Sequence, residues 1–237
     1  AGRIYAQDGA IASRYAALGV PPDRIEVIGN LKLVPSRPAG PIDRSPPPLV
    51  AFGNVHRDEI AGLAPAIAAL RRARPDLRVV LVPRYPGKTP GEVLSAGFGA
   101  DLRIIDTIGD LPEAGPLVWL DQMGALAAVY AQATVGVVCG TFSDVGGHDL
   151  SEPLHLGAAS VYGPNVERQK PLHAALSALG CATQVASAEE LPGVIAGLVD
   201  DKPRRDEMVA AFRTVSEEAA KRLDTLAAEL VGQVVGN

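Results

Sequence analysis

Apolar residues recur along the chain in short continuous runs separated by stretches of helical spacing. Leu49-Val50-Ala51-Phe52, Arg78 to Val82, Leu102 to Ile105, Leu117 to Leu120, Val135 to Cys139, Ser160 to Tyr162 and Thr183 to Val185 each read as strands. Such unbroken runs suit parallel strands covered on both faces. Between them, Ile60, Leu63, Ile67 and Leu70 repeat at helical spacing, as do Leu172, Leu176 and Leu179. Parallel neighbours need a crossover connection, so this alternation predicts an α/β fold, a Rossmann-like doubly wound parallel sheet. The last stretch, residues 202–235, carries no strand signal and reads as two helices. His155 and His173 read as solvent-facing helix residues.

The first 34 residues form a separate pattern. Arg3 to Ala6 predicts a strand, Ile11, Tyr15 and Leu18 a helix face stopped by Gly19, and Arg24 to Ile28 a second strand. Pro35, Pro38, Pro41 and Pro46-Pro47-Pro48 then make a stiff, extended connector. Three segments follow from this: residues 1–34 as a remnant of a preceding domain, 35–48 as a proline-rich linker, and 49–237 as the doubly wound domain.

Residues 122–143 contain no charged side chain, and a membrane span needs about 20 predominantly apolar residues. Gln132 and Thr134 near the centre, with Gly124, Gly136 and Gly140, argue for another parse: a short helix from Gly124 to Gln132 followed by the Val135 strand. Composition narrows the class further. Of 237 residues, 47% are hydrophobic, which excludes a disordered chain, and the 25 Gly and 20 Pro imply many loops. The net charge of -5 lacks the basic surplus of a nucleic-acid binder. Two cysteines, Cys139 and Cys181, cannot build a disulfide framework, and zinc-ligand spacings are missing, so neither metal nor other cofactor is expected.

In open α/β sheets ligands bind beyond the carboxyl ends of the strands. The loops expected there are Gly53 to Glu59, Pro83 to Thr89, Asp121 to Gly124, and Gly140 to Pro153, and polar residues and glycines converge on them. Gly87-Lys88-Thr89 looks like the end of a P-loop, but Val82 and Pro83 stand where its first glycine and backbone donors belong. Gly146-Gly147 permits close backbone approach and leads into an expected helix whose N-terminus would favour a phosphate or carboxylate. Asp149-x-x-Glu152 has capping-box spacing, which gives Glu152 a purely structural alternative. His148 lies in the glycine loop, away from any core, and Arg84 at a strand end suits an anion.

Gly29-Asn30-Leu31-Lys32, Pro83-Arg84, Asp121-x-Met123-Gly124, Gly146-Gly147-His148-Asp149-x-x-Glu152-Pro153 and Gly163-Pro164 come in an order and spacing that resembles the 3-deoxy-D-manno-octulosonic acid (Kdo) transferases. The resemblance implies the C-terminal, donor-binding half of a GT-B glycosyltransferase. It implies a CMP-Kdo donor, a lipid A precursor acceptor in lipopolysaccharide biosynthesis, and no metal. It also implies a cytoplasmic location, at the cytoplasmic face of the inner membrane for the full-length protein, with peripheral membrane association through the acceptor domain.

On this resemblance the donor site comprises Asn54, Arg84, Met123, Gly124, Gly146, Gly147, His148, Asp149 and Glu152. The general base would be a glutamate of the N-terminal acceptor domain, which residues 1–34 cannot supply. Acting alone, the chain is expected to bind nucleotide with weak or absent transfer. Tyr85, Ala125 and Asp149 depart from the family pattern of His, Glu and Asn. An added charge at Asp149 should weaken phosphate binding unless it caps a helix. Those departures leave two other readings: a GT-B enzyme with a different nucleotide-sugar donor, or a non-catalytic nucleotide-binding scaffold module.

Overall fold

The computed structural model describes residues 2–34 and 47–235, and the linker prolines from Pro35 to Pro46 lie outside the described residues. The chain forms two compact units, Ala39–Phe212 and a smaller one made of Ala1–Pro38 with Arg213–Asn237.

In the larger unit seven strands form one parallel sheet. They are β3 (Leu49–Val55), β4 (Arg78–Pro83), β5 (Leu102–Ile105), β6 (Leu117–Leu120), β7 (Val135–Val138), β8 (Ala159–Tyr162) and β9 (Ala182–Gln184), in the spatial order β5-β6-β4-β3-β7-β8-β9. Every strand pair is parallel, with Leu49 opposite Arg78 and Val50 opposite Val135. The apolar runs are continuous because alternate residues serve different cores. Val50, Phe52, Val79, Leu81, Leu117 and Trp119 enter one core, with α2 (Ile60–Ala73), α3 (Gly91–Phe98) and α7 (Leu191–Asp200). Leu49, Ala51, Val80, Val82, Val118 and Leu120 enter the other, with α4 (Leu126–Gln132). Period-two side-chain alternation on a sheet covered on both faces produces this division.

Close approach on the second face requires glycine. A Cβ on Gly136 would lie 2.7 Å from Pro153 Cβ, and one on Gly53 would run into the Tyr130 hydroxyl. Tyr130 is fully buried there and donates to the Val137 carbonyl at 3.3 Å.

The smaller unit contains β1 (Ile4–Ala6), α1 (Gly9–Ala17) and β2 (Ile25–Val27), the strands pairing in parallel. Asp8 caps α1 by accepting the Ile11 N–H at 2.8 Å, and Gly19 adopts φ +89° just past its end.

Two expectations need correction. Residues 202–235 form a single helix, α8 (Lys202–Val235), rather than two. Pro203 sits in its first turn, and no proline or glycine interrupts it before Gly232, so nothing in the sequence stops it. The compact units also differ from the boundaries expected from the prolines, because residues 213–237 group with the N-terminal segment instead of with 49–212. A continuous helix carries the chain from one unit into the other, a membership that local composition does not mark. Among the described residues no helix is long and apolar enough to cross a membrane, and the uncharged stretch is divided between α4 and β7.

Candidate functional site

The sheet reverses its winding between β3 and β7: the chain leaves β3 toward β4 on one side and later returns to lay β7 on the other. A crevice opens at such a switch point beyond the strand ends, where diverging loops leave backbone and side chains facing a shared space. Asn54 lies near the carboxyl end of β3 itself, and His56 in the loop after it. The loop after β4 carries Arg84, and that after β7 carries Gly140 to Glu152.

Glu59 fixes the two central loops together. It is 2% exposed, and its carboxylate accepts the N–H of His56 at 3.0 Å through Oε2. Oε1 accepts the N–H groups of Gly140 at 2.7 Å and Phe142 at 3.0 Å. Burial raises its pKa while these three backbone donors act in the opposite sense. Just upstream, Asn54 adopts φ +59°, the one positive φ of a non-glycine residue among the described residues, at the bulge where pairing with β4 shifts between Gly53 and Val55. The left-handed conformation is tolerated better by Asn than by most residues, and the bulge re-aims the strand end.

Between the loops after β3 and β7 the imidazoles of His56 and His148 meet end to end, Nε2 to Nε2 at 2.7 Å, with ring centroids 5.0 Å apart and planes within 15° of each other. Gly140 makes room for this: at φ +73°, a Cβ there would lie 2.7 Å from His148 Cδ2. Tyr85 stands edge-on to His56, and the Arg84 guanidinium lies 5.3 Å from the Tyr85 ring centroid. Arg84 Nε and Ser143 Oγ are buried with no hydrogen-bond partner among the described residues. Buried polar atoms are nearly always satisfied, so two orphans on loops at the sheet's carboxyl edge are the chemistry expected of a site shaped for a ligand.

Glu152 begins α5 (Glu152–His155) and its pKa is pushed up to about 7, chiefly by burial and then by Asp149, with Arg84 opposing. The arrangement therefore joins Arg84, Asp149 and Glu152 electrostatically, with Asn54 at the adjacent bulge. Met123 and Gly124 lie on the loop after β6 and are exposed, Met123 to 68%, on the far side of β4 from β3.

The glycine pair behaves differently from its expectation. Gly146 and Gly147 have φ +83° and +90°, as close approach requires, but α5 is a single turn and begins only at Glu152. The Gly147 N–H donates to the Gly140 carbonyl at 2.7 Å, so it closes the loop rather than facing a phosphate. A Cβ on Gly146 would lie 3.1 Å from Arg168 Cγ, and one on Gly147 3.2 Å from Thr141 Cγ2. The expected reciprocal cap between Asp149 and Glu152 is also not what forms. Ser151 occupies the cap position, and Asp149 Oδ1 accepts its N–H at 3.0 Å and its hydroxyl at 2.6 Å. Asp149 thus serves a local turn. His155 packs edge-on to Phe212 at 4.7 Å, and His173 Nδ1 lies 3.0 Å from the Tyr162 hydroxyl, so neither is simply solvent-facing.

His56, Glu59, Ser143 and Arg168 are functional candidates that no motif in the sequence marks individually. His56, Glu59 and Ser143 lie in loops expected at the ligand edge, and a glutamate three residues after His56, at the start of an apolar helix pattern, has the spacing of an N-terminal cap.

No family profile matches the chain. It is 27% identical over 186 residues to a 3-deoxy-D-manno-octulosonic acid transferase of Chlamydophila psittaci, covering 73% of this chain and 42% of that protein. The enzyme of the same name from Aquifex aeolicus is 25% identical over 169 residues, covering 71% and 46%. The chain thus spans less than half the length of these curated relatives. Among solved structures, the C-terminal CMP-Kdo binding domain of WaaA from Acinetobacter baumannii superposes with a TM-score of 0.64 at 20% identity, covering 71% of this chain and 88% of that one. Over most of its length the chain is similar to the Kdo transferases, and it has the α/β fold of the C-terminal half of a GT-B glycosyltransferase.

Proposed function

We propose that this chain is the donor-binding portion of a Kdo transferase, taking CMP-Kdo in the crevice at the β3/β7 switch point. The reading is supported first by the similarity to Kdo transferases and by the CMP-Kdo binding domain named among its structural neighbours. The observation that carries it is Arg84, a cation at the carboxyl end of β4 whose buried Nε has no hydrogen-bond partner among the described residues. A departing CMP carries phosphate charge that must be stabilised, and a pre-positioned guanidinium supplies that without reorganisation. Ser143 Oγ, the second unpartnered atom, offers a neutral hydrogen bond to the same ligand.

Glu152 titrates near neutrality, so it can accept from sugar hydroxyls when ionised and donate when protonated. Asn54, Gly146, Gly147, His148 and Asp149 shape the remaining wall, while Met123 and Gly124 offer an exposed surface at the crevice's outer end. The acceptor, a lipid A precursor, and the catalytic glutamate base would be bound by the remainder of a full-length transferase. That enzyme would work in the cytoplasm at the inner face of the inner membrane. Transfer activity is a property of that whole, and nucleotide binding is the part assigned to this chain.

Calorimetry of CMP binding tests the reading. Arg84→Ala should weaken binding by about 30-fold, the loss of a charge-assisted contact of about 2 kcal/mol. Failure of the wild-type chain to bind CMP would sink the donor-domain assignment. Tyr85 and Asp149, which depart from the family pattern, favour a second reading in which the donor carries another nucleotide. Greater thermal stabilisation by UDP or GDP than by CMP would select it.

A further inference from the structure

The donor-site reading leaves one close contact of the crevice unused, the imidazole pair. His56 and His148 belong to loops on opposite sides of the switch point, yet their Nε2 atoms are 2.7 Å apart. Both are held from behind. Glu59 accepts the His56 backbone N–H, and the same carboxylate holds the Gly140 N–H, which places Gly140 against the edge of the His148 ring. Arg168, in the turn after β8, packs its side chain over Gly146 and donates its backbone N–H to the Gly146 carbonyl at 3.0 Å. The loops after β3, β4, β7 and β8 thus bring together two imidazoles and two guanidinium groups, of Arg84 and Arg168.

A nitrogen–nitrogen contact of this length is a hydrogen bond with a single proton between the rings. With both rings neutral, one Nε2–H donates, its own Nδ1 is bare, and the acceptor ring carries its proton on Nδ1. One proton from solvent can be added at the bare Nδ1, giving an imidazolium whose Nε2–H still donates to its neighbour. A second proton would put hydrogens on both facing nitrogens and break the bond. The pair therefore carries a charge of zero or plus one, and changes between them as a unit.

We infer, building on the donor-site reading, that His56 and Arg168 complete the anion site of the crevice, and that the His56–His148 pair takes up one proton when a nucleotide phosphate or sugar carboxylate binds there. The groups facing the pair fix the direction. Asp58 and Glu59 belong to the loop of His56, Asp149 and Glu152 to that of His148, Arg84 and Tyr85 to the loop after β4, and Arg168 to the turn after β8. Burial is the largest influence on His56 and lowers its pKa; Asp58 opposes, and Arg84 and Arg168 add to the lowering. An anion between the guanidinium groups offsets their charge, and the imidazole pair becomes easier to protonate. The protonated pair then supplies a further cationic donor to the ligand.

The test is CMP binding at neutral pH in buffers of different ionisation enthalpy, which counts protons exchanged per ligand bound. Wild type should take up more protons than the double variant His56→Gln/His148→Gln, by up to about one per CMP, because the glutamines keep hydrogen-bonding groups but do not titrate. His56→Gln alone should bind CMP about 5- to 10-fold more weakly. Glu152→Gln should keep the uptake that the double variant loses, since Glu152 is the other group here that titrates near neutrality. Equal uptake in wild type and the double variant overturns the proposal, as does uptake that follows Glu152 instead. No CMP binding by wild type overturns the donor-site reading as well. Should the double variant not fold, imidazole nitrogen NMR of the wild type decides the matter. The midpoint of both rings must rise when CMP is added, and an unchanged midpoint sinks the pair's role.

Discussion

The two sides of the sheet's carboxyl edge are built differently. On the β3/β7 side the Glu59 carboxylate gathers three backbone N–H groups. Thr141, fully buried, donates to the Val138 carbonyl at 2.6 Å and accepts the Gly163 N–H at 2.8 Å. On the β4/β6 side the ties are exposed: Asp121 accepts the Gly87 N–H at 2.9 and 3.0 Å, and Tyr85 and Met123 stand 55% and 68% exposed. A buried, fully partnered network is expensive to disturb, whereas an exposed one exchanges its partners with water at little cost. The first side is fixed by folding itself, apart from the unpartnered Ser143 hydroxyl. The second presents side chains whose final arrangement is left to what binds there.

The largest expected effect comes from breaking the buried network. Glu59→Ala should destabilise the protein by about 3 kcal/mol, seen in urea unfolding, because it strands three N–H groups away from water. A loss below about 1 kcal/mol would mean that the β3/β7 side is no more fixed than the other. Next is the pH dependence of Glu152, whose folded pKa lies near 7 against an ordinary 4.5. Between those values the folded state holds a proton that the unfolded state has lost, so stability should fall as pH rises through that window. The change should be about 2 kcal/mol after allowance for solvent screening, and Glu152→Gln should flatten it. A rise in stability across the window would reverse the assignment of burial as the main cause. The smallest effect belongs to the open side. Met123→Ala should alter unfolding by no more than about 0.5 kcal/mol while lowering CMP affinity a few-fold. A large stability loss there would erase the contrast between the two sides.

The strands were legible because burial on both faces writes itself as continuous apolar runs; β5 and β6 match their expected limits, and the others differ by a residue or a few. Two helices were not. α3 follows Pro90 and contains Gly97, and α7 carries Pro192, Gly193 and Gly197, breakers that masked their helical spacing. Residues 202–235 read as two helices although no proline or glycine breaks α8 between Pro203 and Gly232.

The candidate site shows the same division. Arg84, His148 and Glu152 were legible as polar residues at strand ends, where an α/β sheet puts its ligands. Glu59 and His56 were not, because their partners are 81 and 92 residues away in sequence. A buried carboxylate is recognised by its three donors, and no local pattern announces donors supplied by another loop.

By itself the sequence determined the parallel sheet, its two covered faces, and the loops that gather at its carboxyl edge, since each follows from short-range periodicity and turn chemistry. Only the tertiary structure decided that Gly147 closes its loop instead of cradling an anion, that Asp149 serves a turn, and that two histidines share one hydrogen bond. Those outcomes depend on which loops the strand order brings together at the switch point, and strand order is a long-range consequence of packing that no local pattern encodes.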